Sequence, residues 1–217
     1  MSQSAELGRL AVLGAGGHGR VVADCAAVCG WREIVFFDDG GRAATDPAPW
    51  PIAGGSADLL AGLAGFDGIV VGIGANAVRL AWTRRIAEAG GRLANVIHPA
   101  ASISAFASIA AGSVVLAGAA INIGAVLGMA TIVNTQASVD HDCRLADGVH
   151  ISPGANLAGG VRIGEASWIG VGAAVRDGVA IGAGVVVGAG AVVVKPVADS
   201  LTVVGNPARI LESAKTC

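Results

Sequence analysis

A chain of 217 residues, 53% of them apolar, has room for one large or two modest domains and a sizeable core. Its formal net charge of -2 supplies neither the basic footprint of a nucleic-acid binder nor an acidic tail. Glycine cuts the apolar runs every few residues, well short of the roughly 20 that a membrane-spanning helix requires.

The opening MSQSAELGR lacks the basic and then apolar layout of a signal peptide. The cysteines Cys25, Cys29, Cys143 and Cys217 form no CxxC or other zinc spacing. A cytoplasmic protein with free thiols is the expectation.

A short apolar run over 8–13 ends in Gly14-Ala-Gly-Gly-His-Gly19 and is followed by a helix-like segment over 20–29. The run Glu33-Ile-Val-Phe-Phe-Asp-Asp39 is a second buried-strand candidate that closes on two acids, which makes the whole a βαβ unit. After the loop Asp46-Pro-Ala-Pro-Trp-Pro51, the pattern predicts a helix over 56–63, a third strand over 68–74, an amphipathic helix over 76–89 and a fourth strand over 92–97. On the amphipathic helix Val78, Trp82, Arg85 and Ile86 fall at helical spacing, with basic residues expected at its surface. His98-Pro99 marks the carboxyl-terminal boundary of this first domain.

The glycine-rich loop fits G-x-G-x-x-G, lies between a strand and a helix, and has Asp38 nineteen residues beyond Gly19. In such a loop the amides at a helix start receive phosphates, and an acid at the end of the second strand accepts bonds from a ribose or base. The alternative is a turn that only packs helix on strand. His18 and the Asp38-Asp39 doublet favour a nucleotide site, and the shortness of the domain favours a nucleotide sugar over NAD.

From Ile103 to Val193 an aliphatic residue returns at every sixth position, sixteen times in succession. Three residues later stands a glycine at Gly112, Gly118, Gly124, Gly148, Gly154, Gly160, Gly172, Gly178, Gly184 and Gly190. Neither a helix nor a simple strand has this period, so the unit is a repeat. A short strand and a tight corner, taken three times, close a triangular coil of eighteen residues, and stacked coils make a β-solenoid. Glycine provides the positive φ that corners need.

Polar residues are rare in the repeat and cluster in Asn134-Thr-Gln-Ala-Ser-Val-Asp-His-Asp-Cys143 and at His150. His141, two residues after Val139, should point outward between Asp140 and Asp142, where an acid would orient it as a general base. One coil of eighteen added to 141 gives Gly159, whose N–H is unshielded and available to a developing oxyanion. The same sum puts Trp168 beneath His150. The alternatives are a solvated histidine at 141 and an indole that merely covers an apolar seam. A zinc site would have only His98, His141 and His150 to draw on, in no short ligand spacing, so no metal is expected.

These residues resemble the hexapeptide-repeat acyltransferases, and within them the sialic-acid O-acetyltransferase and bacillosamine (UDP-4-amino-sugar) N-acetyltransferase group. The resemblance is carried by Gly14-Ala-Gly-Gly-His-Gly-Arg20, Phe37-Asp-Asp39, Ile73-Gly74, Val96-Ile-His-Pro99, Val139-Asp-His-Asp-Cys143, His150-Ile-Ser-Pro-Gly154 and Val204-Gly-Asn-Pro-Ala-Arg209. It implies a left-handed parallel β-helix, a homotrimer, and acetyl-CoA in the cleft between neighbouring β-helices. By the same likeness His141 is the base and Asp142 raises its basicity. His150, Gly159, Val171 and Ala189 match positions that contact the acetyl donor. Gly16, Gly17, His18, Asp38, Asp39 and Gly74 match those that hold a nucleotide-sugar acceptor. Asp142 stands where several members carry glutamate, and Gly16 replaces a serine of some relatives.

The expected organisation is a Rossmann-like βαβ nucleotide-sugar-binding domain over 1–98, a β-helix carrying the acetyl-CoA site over 99–196 and a tail over 197–217. The expected activity is transfer of acetyl from acetyl-CoA to the amine of a nucleotide-linked amino-deoxy sugar by direct attack. O-acetylation of a sugar such as sialic acid is the alternative within the same class. A trimeric scaffold that senses a nucleotide is the non-enzymatic one.

Overall fold

A computed structural model describes residues 7–40 and 49–211. Cys217 and part of the 46–51 loop lie outside these residues.

The first unit alternates strand and helix. It comprises β1 (Leu7–Leu13), α1 (Gly17–Val28), β2 (Trp31–Phe37), β3 (Ile52–Gly54), α2 (Ser56–Ala61), β4 (Gly68–Val71) and α3 (Asn76–Glu88). Its parallel sheet has the order β3-β2-β1-β4. The chain builds outward from β1 and then returns to its other side, so the carboxyl ends of β1 and β4 flank a switch point, where open α/β sheets leave a binding crevice. Both glycine-rich loops, 14–19 and 72–74, emerge there.

The fourth predicted strand divides between two sheets. Leu93 makes one bridge to Ile69, and Val96–Ile97 then pairs with Val114–Val115 as the first rung of the solenoid. β3 has no counterpart among the predicted strands, because three residues between Pro51 and Gly55 carry no period to read.

From Val96 the chain winds a left-handed parallel β-helix of two-residue strands on three faces. Face 1 begins with Val96–Ile97, face 2 with Ser102–Ile103 and face 3 with Ser108–Ile109. Partners lie eighteen residues apart as far as Val193, as in Ser138 with Asn156 or His150 with Trp168, and the step falls to sixteen in the last coil, where Val186 pairs with Thr202. The sixth-position aliphatics fill the interior, where Ile121, Leu127, Val133, Val139, Ile151 and Leu157 are buried. Each contributes about 1.5–3 kcal/mol of transfer free energy. The glycine corners have φ between +62° and +74°. Ala130, Gln136, Asp142 and Ala166 occupy that same corner position without being glycine.

α1 packs between the sheet and face 1. Val22, Ala23 and Ala26 share a cluster with Leu10 and Val12 on one side and with Val96, Val114, Leu116 and Ile132 on the other. α2 and α3 cover the opposite side of the sheet, through Leu59 and Ile86.

Candidate active site

The residues singled out in the sequence gather in three places. The first is the corner between faces 2 and 3, where His141 follows the strand Ser138–Val139 and its side chain is 57% exposed. Nδ1 of His141 lies 2.9 Å from Oδ2 of Asp142. The shorter arm of aspartate therefore reaches the ring. Oδ1 of Asp140 accepts the backbone N–H of His141 at 2.7 Å and the Asn122 amide at 2.7 Å, so a clamp from the preceding coil holds the turn. The hydrogen bond that Nδ1–H donates to Asp142, and then the charge of Asp140, raise the His141 pKa above its ordinary 6.5.

With Nδ1 against Asp142, Nε2 is the ring nitrogen that faces Gly159 one coil below. A Cβ built on Gly159 would overlap Nε2, so glycine is required there for the ring to lie flat against the coil. Sequence reasoning missed Asn122, although 122 and 140 differ by one coil, the same sum that pairs 141 with 159.

The second place is the contact of α1 with face 1. Gly14 turns at φ +102°, and a Cβ on Gly19 would collide with the Gly14 carbonyl, so the loop and the helix start are closely packed. Gly16 caps α1 without a side chain, and around both Gly16 and Gly17 an added Cβ meets nothing within 4 Å. The amide end of α1 is thus open to an anion. Asp38 accepts the N–H of Ala15 at 2.7 Å and that of Gly40 at 2.8 Å, holding the glycine loop from the end of β2. Asp39 accepts the Ser56 N–H at 2.7 Å and its hydroxyl at 2.9 Å, and these bonds lower its pKa.

His18 stands beside Gly74, and its ring centroid is 6.2 Å from that of His150. His150 in turn stacks on Trp168 at 5.7 Å with 5° between the planes. The Trp168 indole donates to Ser152 Oγ at 2.6 Å, so this half-exposed ring is held in place. The Asn134 amide nitrogen is 3.2 Å from His150 Nε2. Burial, and after it the charge of Arg79, lowers His18 to about 4 and His150 to about 3, so both rings are neutral at physiological pH.

Val171 and Ala189 lie at a third place, the corner between faces 1 and 2, and both are exposed. Within one chain they occupy a different edge of the prism from His141 and Gly159. The basic residues of α3 also depart from expectation, because Arg79 is fully buried while Val78 is exposed. Nothing in a helical period marks a buried arginine. Its acceptors are the solenoid carbonyls of Ala130 and Gly148, together with the Ile73 and Gly74 carbonyls and Asn76 Oδ1 of the first unit.

Among the described residues no three His, Cys, Asp or Glu side chains converge as metal ligands, and no helix is long and apolar enough to cross a membrane.

A profile of the PglD N-terminal domain matches residues 9–86, and one of bacterial transferase hexapeptides (six repeats) matches residues 160–195. The chain is 47% identical to the acetyltransferase domain of PglB from Neisseria gonorrhoeae FA1090, with 94% of this chain and 99% of that chain covered at a TM-score of 0.88. That domain is also solved in complex with acetyl coenzyme A. A histidine-to-alanine mutant of GDP-perosamine N-acetyl transferase from Caulobacter crescentus, in complex with CoA and GDP-perosamine, is 39% identical, covering 96% and 100% at a TM-score of 0.88. WeeI from Acinetobacter baumannii AYE is 29% identical over 94% and 100% at 0.85. No curated protein sequence matches the chain significantly.

Proposed function

Because this chain belongs to the hexapeptide-repeat sugar acetyltransferases with a PglD-type first domain, we propose that it transfers acetyl from acetyl-CoA to the amine of a nucleotide-linked amino-deoxy sugar. The observation that carries the reading is the His141–Asp142 contact above Gly159.

A primary amine is mostly protonated at neutral pH and cannot attack a thioester in that form. Nε2 of His141 takes the amine proton as the nitrogen attacks the thioester carbonyl and the C–N bond forms. Asp142 holds Nδ1–H and steadies the imidazolium. The oxyanion rests on backbone N–H groups near Gly159. The C–S bond then breaks and the leaving thiolate recovers the proton from His141. No covalent enzyme intermediate is needed.

His18, Gly16, Gly17, Gly74, Asp38 and Asp39 make up the acceptor side. The open amide end of α1 suits a diphosphate. His150, Gly159, Val171 and Ala189 make up the donor side. Gly159 and the pair Val171 with Ala189 stand on different prism edges, so one donor molecule meets both sets only where two copies adjoin. This favours a homotrimer with a cleft at each subunit contact.

Purified protein is assayed with acetyl-CoA for thiol release, offering nucleotide-linked 4-amino sugars against free sialic acid. Turnover of the amino sugars is the expected result. Turnover of sialic acid alone would establish O-acetylation instead, and no thiol release with any sugar would return the chain to the scaffold reading.

A further inference from the structure

Helix α3 carries a buried cation whose bonds tie the first unit to the solenoid. Arg79 is 0% exposed. Its Nε donates to the Ala130 carbonyl at 2.9 Å, and Nη2 donates to the Gly148 carbonyl at 2.8 Å, one coil on. Nη1 donates to the carbonyls of Ile73 at 3.2 Å and Gly74 at 3.1 Å, and Nη2 also reaches Asn76 Oδ1 at 3.0 Å. The Asn76 amide continues the column to the carbonyls of Ala166 and Ser167, both at 3.1 Å. On the exposed side Arg84 pairs with Asp147 at 3.0 Å and Glu165 at 2.6 Å.

All five of these Arg79 bonds end on neutral oxygens. Burying a cation among neutral groups is costly, and an apolar side chain would dock a helix without that cost. The guanidinium fork provides something an apolar contact lacks, because its plane addresses the Gly74 loop and two coils at once. The Gly74 loop abuts His18, whose ring faces His150. Nε2 of His18 and Nδ1 of His150 are buried and have no hydrogen-bond partner among the described residues.

We infer that Arg79 is a positioning residue for the reaction, pinning the Ile73–Gly74 loop to the coils so that His18 on the acceptor side is held facing His150 on the donor side. The inference rests on the acceptor site assigned under the proposed function. Burial is the larger cause that keeps both rings uncharged, Arg79 is the charged group that adds to it at each, and His18 acts in addition on His150. Loss of the cation lets each ring charge at higher pH.

The test uses full-length R79M and R79K. In R79M, KM for the nucleotide amino sugar is expected to rise by about tenfold or more, as misplacement of a positioning loop does, with KM for acetyl-CoA within about twofold. Histidine ring titrations followed by NMR are expected to move upward for His18 and His150 in R79M. R79K, which keeps the charge and loses the fork, should show the raised sugar KM with ring midpoints near wild type. A folded R79M with unchanged sugar KM and unchanged ring midpoints overturns the inference. If R79M does not fold, an R79K protein with wild-type sugar KM overturns it. Should the wild-type protein acetylate no nucleotide amino sugar, the functional reading falls separately, and the ring titrations still decide the role of Arg79.

Discussion

Asp142 places Oδ2 2.9 Å from His141 Nδ1 from a corner where φ is 59°, a conformation the repeat otherwise gives mainly to glycine. A non-glycine residue in the left-handed region costs about 1–2 kcal/mol, somewhat less for aspartate, whose short side chain bonds locally. Of the four repeat corners that hold a non-glycine residue at positive φ, this one carries a side chain bonded to an outward histidine, as expected where function needs the side chain.

Asp142→Gly should therefore raise thermal stability by up to about 1 kcal/mol while lowering turnover. Thermal unfolding and initial rates on the same preparation check it. Loss of stability together with full activity would contradict the assignment of Asp142 to His141.

A base must be uncharged to accept a proton, so kcat/KM should rise with pH through a midpoint above the ordinary histidine value of 6.5, because of the hydrogen bond donated to Asp142 and the charge of Asp140. Asp142→Asn removes the larger cause and should move that limb to lower pH. His141→Ala should lose about 10²–10⁴ in turnover with the fold kept. Wild-type turnover in a folded His141→Ala protein would remove the mechanism.

Gly159→Ala tests the coil geometry directly. The added Cβ meets the imidazole, and the backbone at Gly159 is not in the left-handed region, so the change should spare stability and displace the ring. A fall in turnover of about 10²-fold with an unchanged melting temperature is expected, in line with small misplacements of catalytic groups.

The two proposed halves of the donor site lie on separate prism edges. His141→Ala and Val171→Trp chains, each inactive alone, should regain partial activity when unfolded together and reassembled, because some clefts then receive His141 from one copy and Val171 from another. Sedimentation should show a trimer in each preparation. No recovery from verified mixed assemblies would place both sets of residues in one subunit's own site.

Much of the solenoid site could be read without coordinates because the repeat is a translation. Adding eighteen to a position names its neighbour, which paired 141 with 159 and 150 with 168, and would have paired Asn122 with Asp140. The first unit was legible only in outline. β1, α1 and β2 announce themselves by apolar runs around a glycine loop, whereas Ile52–Gly54 is too short to carry a period.

Sequence alone determined the six-residue rhythm, the inward columns of Val, Ile and Leu, and the outward histidine between two acids, since each depends on residues a fixed step apart. Tertiary structure decided that Arg79 is buried, that His18 meets His150, and that residues 92–97 serve two sheets. Those outcomes arise where an aperiodic domain docks on a periodic one. There the partners are set by packing of α1 on face 1 and by carbonyls at solenoid corners, and neither leaves a spacing in the chain.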